Sequence, residues 1–445
     1  MNSSDSFGTP ASPARGIPTA PPGFGRIGLN SFWLLAARVA SLGLGLIFSA
    51  LLARALGQAG LGQFAFISAA LFIGNAASTF GLDTLLLRDV AAARASAAAG
   101  AALPQTISAV LLIQLALSAV YIALLWLIGP RLPNQTAATL PALGLASLAL
   151  VPLAFSTVYS AILRAYERMA DFLVFSLVTA TVMAAGGALL FTAGGGLLSA
   201  AGILLVAQTA GALAAAGLCR RAVTLRWRWI WPSAPAIRRA LRLGGALAVL
   251  MLFSVLYQRS GVLLLSLIDS DAAAGAYSAA ARVIEALKLL PGAFFGAMFP
   301  VLARAAAVER AGVQDATRRL YARSFAVLLA ACVALAAGTA LAAPAVVRLL
   351  FGSGYDAAVG ALRIMCWSLP PTVATFRLSF DLVVQGRERV AAASMGITLL
   401  VGAGLTAWLI ARAGLTGAAW GLVSGELAQV GILLALGRMG RAGSK

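Results

Sequence analysis

The sequence contains no histidine. That removes the commonest metal ligand and the commonest general base together. Acidic residues are scarce, 14 against 33 lysines and arginines, and charged residues make up only 11% of the 445. A soluble chain of this length needs a polar coat that these numbers do not supply. The three cysteines, Cys219, Cys332 and Cys366, lie within or at the ends of apolar runs, so no structural disulfide is expected. No metal-ligand spacing, nucleophile elbow or phosphate-cradling loop is present, and no cofactor is expected. The net charge of +19 and pI near 11.4 raise the question of nucleic acid. Nucleic-acid binders gather basic residues on a polar folded face. Here they fall in short gaps between apolar runs, so no nucleic-acid partner is expected.

What the chain has is apolar length. It is 61% hydrophobic, with a mean hydropathy of +0.93. Residues 1–28, rich in Pro, Gly, Ser and Ala, read as a disordered cytoplasmic tail without the apolar core of a secretory signal. Apolar spans follow near 30–54, 62–87, 103–128, 139–163, 172–193 and 197–218. Six more lie near 242–268, 275–303, 320–343, 358–385, 390–411 and 414–437. Most reach the roughly 20 residues that a spanning helix needs. The expected fold is therefore an all-α membrane protein of about 12 transmembrane helices.

Basic residues test the count. With twelve spans both termini share one side, and that side collects 23 of the 33 lysines and arginines. The opposite side has four, Arg54, Arg131, Arg348 and Arg412, and six lie within spans. This bias makes the rich side cytoplasmic. The expected organisation is an N-terminal six-helix lobe at 29–218, a basic cytoplasmic linker at 219–241, a C-terminal lobe at 242–438 and a short tail at 439–445. The linker carries six arginines, with Arg242 just beyond it, and Trp227, Trp229 and Trp231, which suits a loop resting at the headgroup level. Pro152, Pro291, Pro300, Pro370 and Pro371 are expected to kink their helices.

Ionisable residues inside the spans define the candidate site. The segment 274–304 is long enough to cross a bilayer, yet it carries Arg282, Glu285 and Lys288 on one side of the helix. A charge facing lipid at mid-depth costs at least about 2.5–3.5 kcal/mol, so that side must face protein or water. Arg38, Arg259 and Glu426 are similarly deep, and Arg377 is intermediate. Asp83 and Asp381 lie close to the arginine-rich end, and Arg363 near the other. Arg38, Arg259, Arg282, Lys288 and Arg377 are the candidates for a cationic substrate cavity. Glu285, Glu426, Asp83 and Asp381 are candidates for ion coupling. Local pairing accounts equally well for Arg282–Glu285, Glu285–Lys288 and Arg377–Asp381, spaced at i,i+3 or i,i+4. Arg38 and Arg259 have no acidic residue within a turn of their own helices.

The segment 51–91 resembles a known family through Arg54, Leu56, Gly57, Gly62, Phe64, Gly81, Leu82, Arg88 and Asp89. Further matches are Ala274, Gly275, Tyr277, Ala280, Arg282, Glu285, Pro291, Phe299 and Pro300, then Phe351, Gly352, Tyr355, Leu362 and Arg363, then the segment 414–426. These resemble bacterial polysaccharide-transporter flippases of the multidrug/oligosaccharidyl-lipid/polysaccharide superfamily, from about residue 30 onward. The resemblance implies two six-helix lobes forming a V around a cationic central cavity. It implies a cargo of undecaprenyl-diphosphate-linked oligosaccharide, moved by alternating access to the periplasmic leaflet for O-antigen, exopolysaccharide or capsule assembly. It also implies Na⁺ or H⁺ coupling, membrane lipids and polymerase or chain-length machinery as partners, and the bacterial inner membrane as location. A multidrug exporter of the same fold and a peptidoglycan-precursor flippase are the alternatives, the latter differing by two extra spans. A membrane-embedded polymerase or ligase would need a large periplasmic loop, and the outer gaps here are short. No enzyme is expected.

Overall fold

A computed structural model describes residues 24–95, 97–133, 136–222, 229–295, 315–384 and 387–442. Among these, every regular element is a helix. The first half contains α1 (Phe24–Thr79), α2 (Leu82–Ala95), α3 (Ala97–Ile128), α4 (Thr139–Ser147), α5 (Leu150–Ala165), α6 (Met169–Ala193) and α7 (Leu197–Ala222). The second contains α8 (Ala234–Ile268), α9 (Asp271–Leu287), α10 (Asp315–Phe351), α11 (Asp356–Met365), α12 (Leu369–Val384) and α13 (Glu388–Ala442).

Nine stretches of the described residues are long and apolar enough to cross a membrane. Two of the nine, Phe32–Thr79 and Ala393–Arg438, are hairpins, which makes eleven crossings. Their turns fall at Gly57 (φ 70°) and Gly414 (φ 51°), a conformation that suits a residue without Cβ. The Phe48 and Phe64 rings meet at 5.5 Å across the first turn. Across the second, Gly421 faces Thr406 and Gly425 faces Gly402. The remaining expected span, 275–303, is described only to Phe295. The chain is thus a multi-pass, all-α membrane protein of the expected class.

Several boundaries differ from expectation. Helix α1 begins at Phe24, inside the expected tail, and residues 1–23 lie outside the described set. At the other end α13 runs to Ala442. The second span breaks at Phe80 and Gly81, both at positive φ, and resumes as α2. Pro152, Pro370 and Pro371 do not kink helix interiors. They occupy the first turns of α5 and α12, where a missing N–H leaves no intrahelical bond unmade. Pro291 follows the break at Lys288, and Pro300 lies outside the described residues.

The halves are joined by small residues, as membrane helices without a hydrophobic drive between them require. Gly62 of α1 and Gly275 of α9 cross so closely that a Cβ on Gly62 would overlap the Asp271 carbonyl, and one on Gly275 the Gln58 carbonyl. Ala274, Ala276, Ala279 and Ala280 around this crossing are fully buried. Polar side chains then fasten the arginine-poor end. Gln58 donates to the Ala272 carbonyl at 3.0 Å and Gln63 to Asp271 at 3.0 Å, while Arg54 donates to the Leu349 carbonyl at 2.6 Å. At the arginine-rich end, Arg239 of α8 makes a two-pronged contact with Asp89 of α2, at 2.7 and 3.1 Å.

Candidate functional site

The charged residues of α9 sit where the two halves meet. Ser270 caps α9 by accepting from the Ala273 N–H at 3.2 Å, and Asp271 occupies its first turn. Both features favour a helix start at this point. Three turns on, the helix presents Arg282 and Glu285 on one face and ends at Lys288.

Glu285 is shared by two guanidinium groups. Arg282 donates to one carboxylate oxygen at 3.0 Å, and Arg259 of α8 to the other at 3.2 Å. Arg259 also lies over the Phe72 ring of α1, 4.4 Å from its centroid, so the first half contributes an aromatic face to the cluster. One carboxylate thus stands between two cations. The cluster keeps a net positive charge while its side chains remain partly accessible, at 19–36%.

Arg259 corrects the sequence reading. Its own helix offers no acidic partner, yet the neighbouring helix supplies one, 26 residues further along the chain. Spacing along a single helix cannot reveal such a pair. Arg38 differs: it is exposed and makes no ion pair or hydrogen bond among the described residues. It shares a helix face with Gly45 and Ser49, the former two turns, or about 10 Å, further along.

Gly45 and Ser49 line a narrow cavity of about 180 Å³ inside the first half, with Phe48, Phe64, Phe72, Asn75, Gln208 and, reaching across from α9, Arg282. A second cavity, about 640 Å³, lies inside the other half and includes Lys288 and Glu426. These two form an ion pair at 2.7 Å, with Glu426 only 7% exposed. Both expected coupling carboxylates of the interior, Glu285 and Glu426, are therefore held by protein cations.

The other candidates lie apart. Asp83 sits in the first turn of α2, past the Phe80–Gly81 break, 3.6 Å from Arg164. An acidic residue there complements the helix dipole. Arg377 is 4.0 Å from Asp381 on the same helix and stacks 4.3 Å from the Phe325 ring. Arg363 reaches the Ala340 carbonyl at 3.3 Å. Phe72, Asn75, Gln208, Tyr257 and Thr375, which line the cavities, gave no sequence signal, because neutral side chains in a span read as packing. Asp89–Arg239 joins residues 150 apart and was equally invisible.

The bundle thus gathers charged residues between its halves and keeps a cavity in each half. Comparison with solved structures gives the same fold. A structure titled "Lipid II flippase MurJ, inward closed conformation" is 14% identical, with a TM-score of 0.73 over 91% of this chain and 86% of that one. An inward-facing multidrug resistance MATE family transporter of the MOP superfamily is 17% identical, with a TM-score of 0.68 over 90% and 94%. A MOP superfamily transporter from Pyrococcus furiosus, described as having a binding pocket of reverse polarity, is 16% identical, with a TM-score of 0.62 over 93% and 95%. No curated protein matches the chain. The family model described as "Polysaccharide biosynthesis protein" matches residues 27–306, and the chain belongs to that family.

Proposed function

We propose that this protein is a flippase that carries an undecaprenyl-diphosphate-linked oligosaccharide from the cytoplasmic to the periplasmic leaflet of the bacterial inner membrane. The export serves assembly of a surface polysaccharide. The observation that carries this reading is the Arg259–Glu285–Arg282 cluster between the halves, in which two guanidinium groups share one carboxylate. Arginine pairs bidentately with phosphoryl oxygens, and a diphosphate brings the negative charge that the cluster lacks. Arg38, exposed and unpaired on the face that leads to the first-half cavity, adds a third cation on the approach. The prenyl tail can stay in lipid throughout.

Alternating access follows from the two fastenings. Release of Arg239 from Asp89 opens the arginine-rich end, which the distribution of basic residues makes cytoplasmic, together with both termini. Release of Gln58 and Gln63 from the start of α9 opens the other. Transport rocks the halves about the cluster between them. Glu285 and Glu426 already hold protein cations, so coupling to Na⁺ or H⁺ at either requires that a salt bridge open first. The excess of positive charge speaks against export of cationic drugs through this cluster.

Deletion in the native host tests the proposal. The expected result is loss of a surface polysaccharide and accumulation of its lipid-linked repeat unit, both reversed by the wild-type gene. Intact polysaccharide without accumulation would contradict it.

A further inference from the structure

The cavity inside the first half keeps unpaired polar groups within reach of a ligand. Asn75 of α1 and Gln208 of α7 are half-buried in its wall, and neither side chain makes a hydrogen bond or ion pair among the described residues. An amide both donates and accepts, so each can meet a group that does the same. Most of the remaining wall is apolar. Phe48 and Phe64 meet edge to face at 5.5 Å, and Phe72, 45% exposed, leaves the cavity reachable. Gly45 adds open space, with nothing within 4 Å of the place a Cβ would take. Among the described residues Arg282 is the one charged member of the wall, and one of its nitrogens is committed to Glu285.

Size and chemistry narrow the occupant. A cavity of about 150 Å³ accepts one benzene ring, so a volume of about 180 Å³ has room for a single six-membered ring. A metal ion would meet a guanidinium and no carboxylate. A phosphoryl group would press its charge against three phenyl rings, and an alkyl chain would strand both amides. A sugar ring fits on both counts: its hydroxyls pair with the amides, and its C–H face rests on the phenylalanines. Position says which sugar. Arg282 belongs both to this wall and to the Glu285 cluster, so the cavity opens beside the place proposed for the diphosphate.

On the flippase reading above, we propose that this cavity takes the sugar bonded directly to the diphosphate, and that Asn75 and Gln208 select it. Sugars further along the glycan stay outside, because the cavity has no room for a second ring.

Binding of three lipids to the purified full-length protein, read by native mass spectrometry, tests it. They are undecaprenyl diphosphate, the native host's lipid-linked repeat unit, and that repeat unit trimmed by glycosidases to its first sugar. Wild type should bind the trimmed lipid at least about tenfold tighter than the bare diphosphate, with little further gain from the full repeat unit. Asn75→Leu and Gln208→Leu should each cut that preference while leaving binding of the bare diphosphate unchanged. Neither change removes a hydrogen bond within the protein, so both variants should fold. Equal binding of the bare and trimmed lipids by wild type overturns the subsite, as does a gain that appears only with the full repeat unit. An unchanged preference in both variants, or an equal loss of both lipids, overturns the role of the two amides and the proposal with it. Failure of wild type to bind any of the three lipids overturns the flippase reading itself.

Discussion

The two cavities that ionic side chains enter solve opposite problems. The one in the first half is small, walled by Phe48, Phe64 and Phe72, and receives its charge from Arg282 of the other half. The second-half cavity is more than three times larger and contains its own cation and anion, Lys288 and Glu426. Charge is thus balanced deep inside the second half and unbalanced where the halves meet. A pair buried for architecture should be costly to break and cheap to replace whole. A cation kept for an anionic cargo should be cheap to remove from the fold and costly to remove from transport.

The largest expected effect follows from that contrast. Arg259→Ala, Arg282→Ala and Arg38→Ala should each abolish or nearly abolish polysaccharide export at normal membrane abundance. Arg259→Lys should restore it only in part, because an ammonium keeps the charge without the fork. Export assays alongside immunoblots of membrane fractions separate the two readouts. Normal export in all three alanine variants would make the cationic interface structural.

Next in size is the buried pair. Glu426→Gln leaves Lys288 unpaired and should destabilise the protein by about 3–5 kcal/mol, seen as a lower Tm in detergent. The double change Lys288→Met with Glu426→Met should recover most of that loss. Should the single variant instead keep its Tm and lose dependence on a Na⁺ or H⁺ gradient, Glu426 is a coupling residue and the contrast between the cavities collapses. Glu285→Gln should cost less stability, about 1–3 kcal/mol, since its side chain is 36% exposed.

A smaller effect is expected at the crossing of the halves. Gly275→Ala forces a Cβ into the Gln58 carbonyl and should lower stability by about 1–3 kcal/mol. An unchanged Tm would mean that α1 and α9 slide apart freely at this point. The smallest concerns Asp89 and Arg239. With Arg239 52% exposed, Asp89→Ala should change stability by no more than about 1 kcal/mol. Its effect belongs to the opening equilibrium. Cysteine pairs across the arginine-rich end should crosslink less readily in Asp89→Ala, and more readily again when Asp89→Arg is combined with Arg239→Asp.

Much of the fold was legible because the bilayer imposes it. Span lengths located eleven of the crossings, down to the Gly194 turn between α6 and α7. The break at Phe80–Gly81 was not legible, because the apolar run continues through it. The site was legible in part. Arg282 and Glu285 declared themselves as charges in a long apolar run, and their pairing follows from their spacing. Arg259 looked isolated because its partner lies on another helix, and Lys288 and Glu426 are 138 residues apart. One sequence records which residues are charged and how deep they lie. Which of them meet is decided by how helices pack.

The central claim is that the cluster between the halves binds the diphosphate of a lipid carrier during its passage across the membrane. Its most direct test is a flipping assay in proteoliposomes loaded with the lipid-linked repeat unit, read by the access of an external glycan-oxidising reagent over time. Wild-type protein should expose the inner-leaflet pool to the reagent, whereas Arg259→Ala, reconstituted at equal density, should leave that pool protected. Equal exposure by the two proteins would contradict the claim.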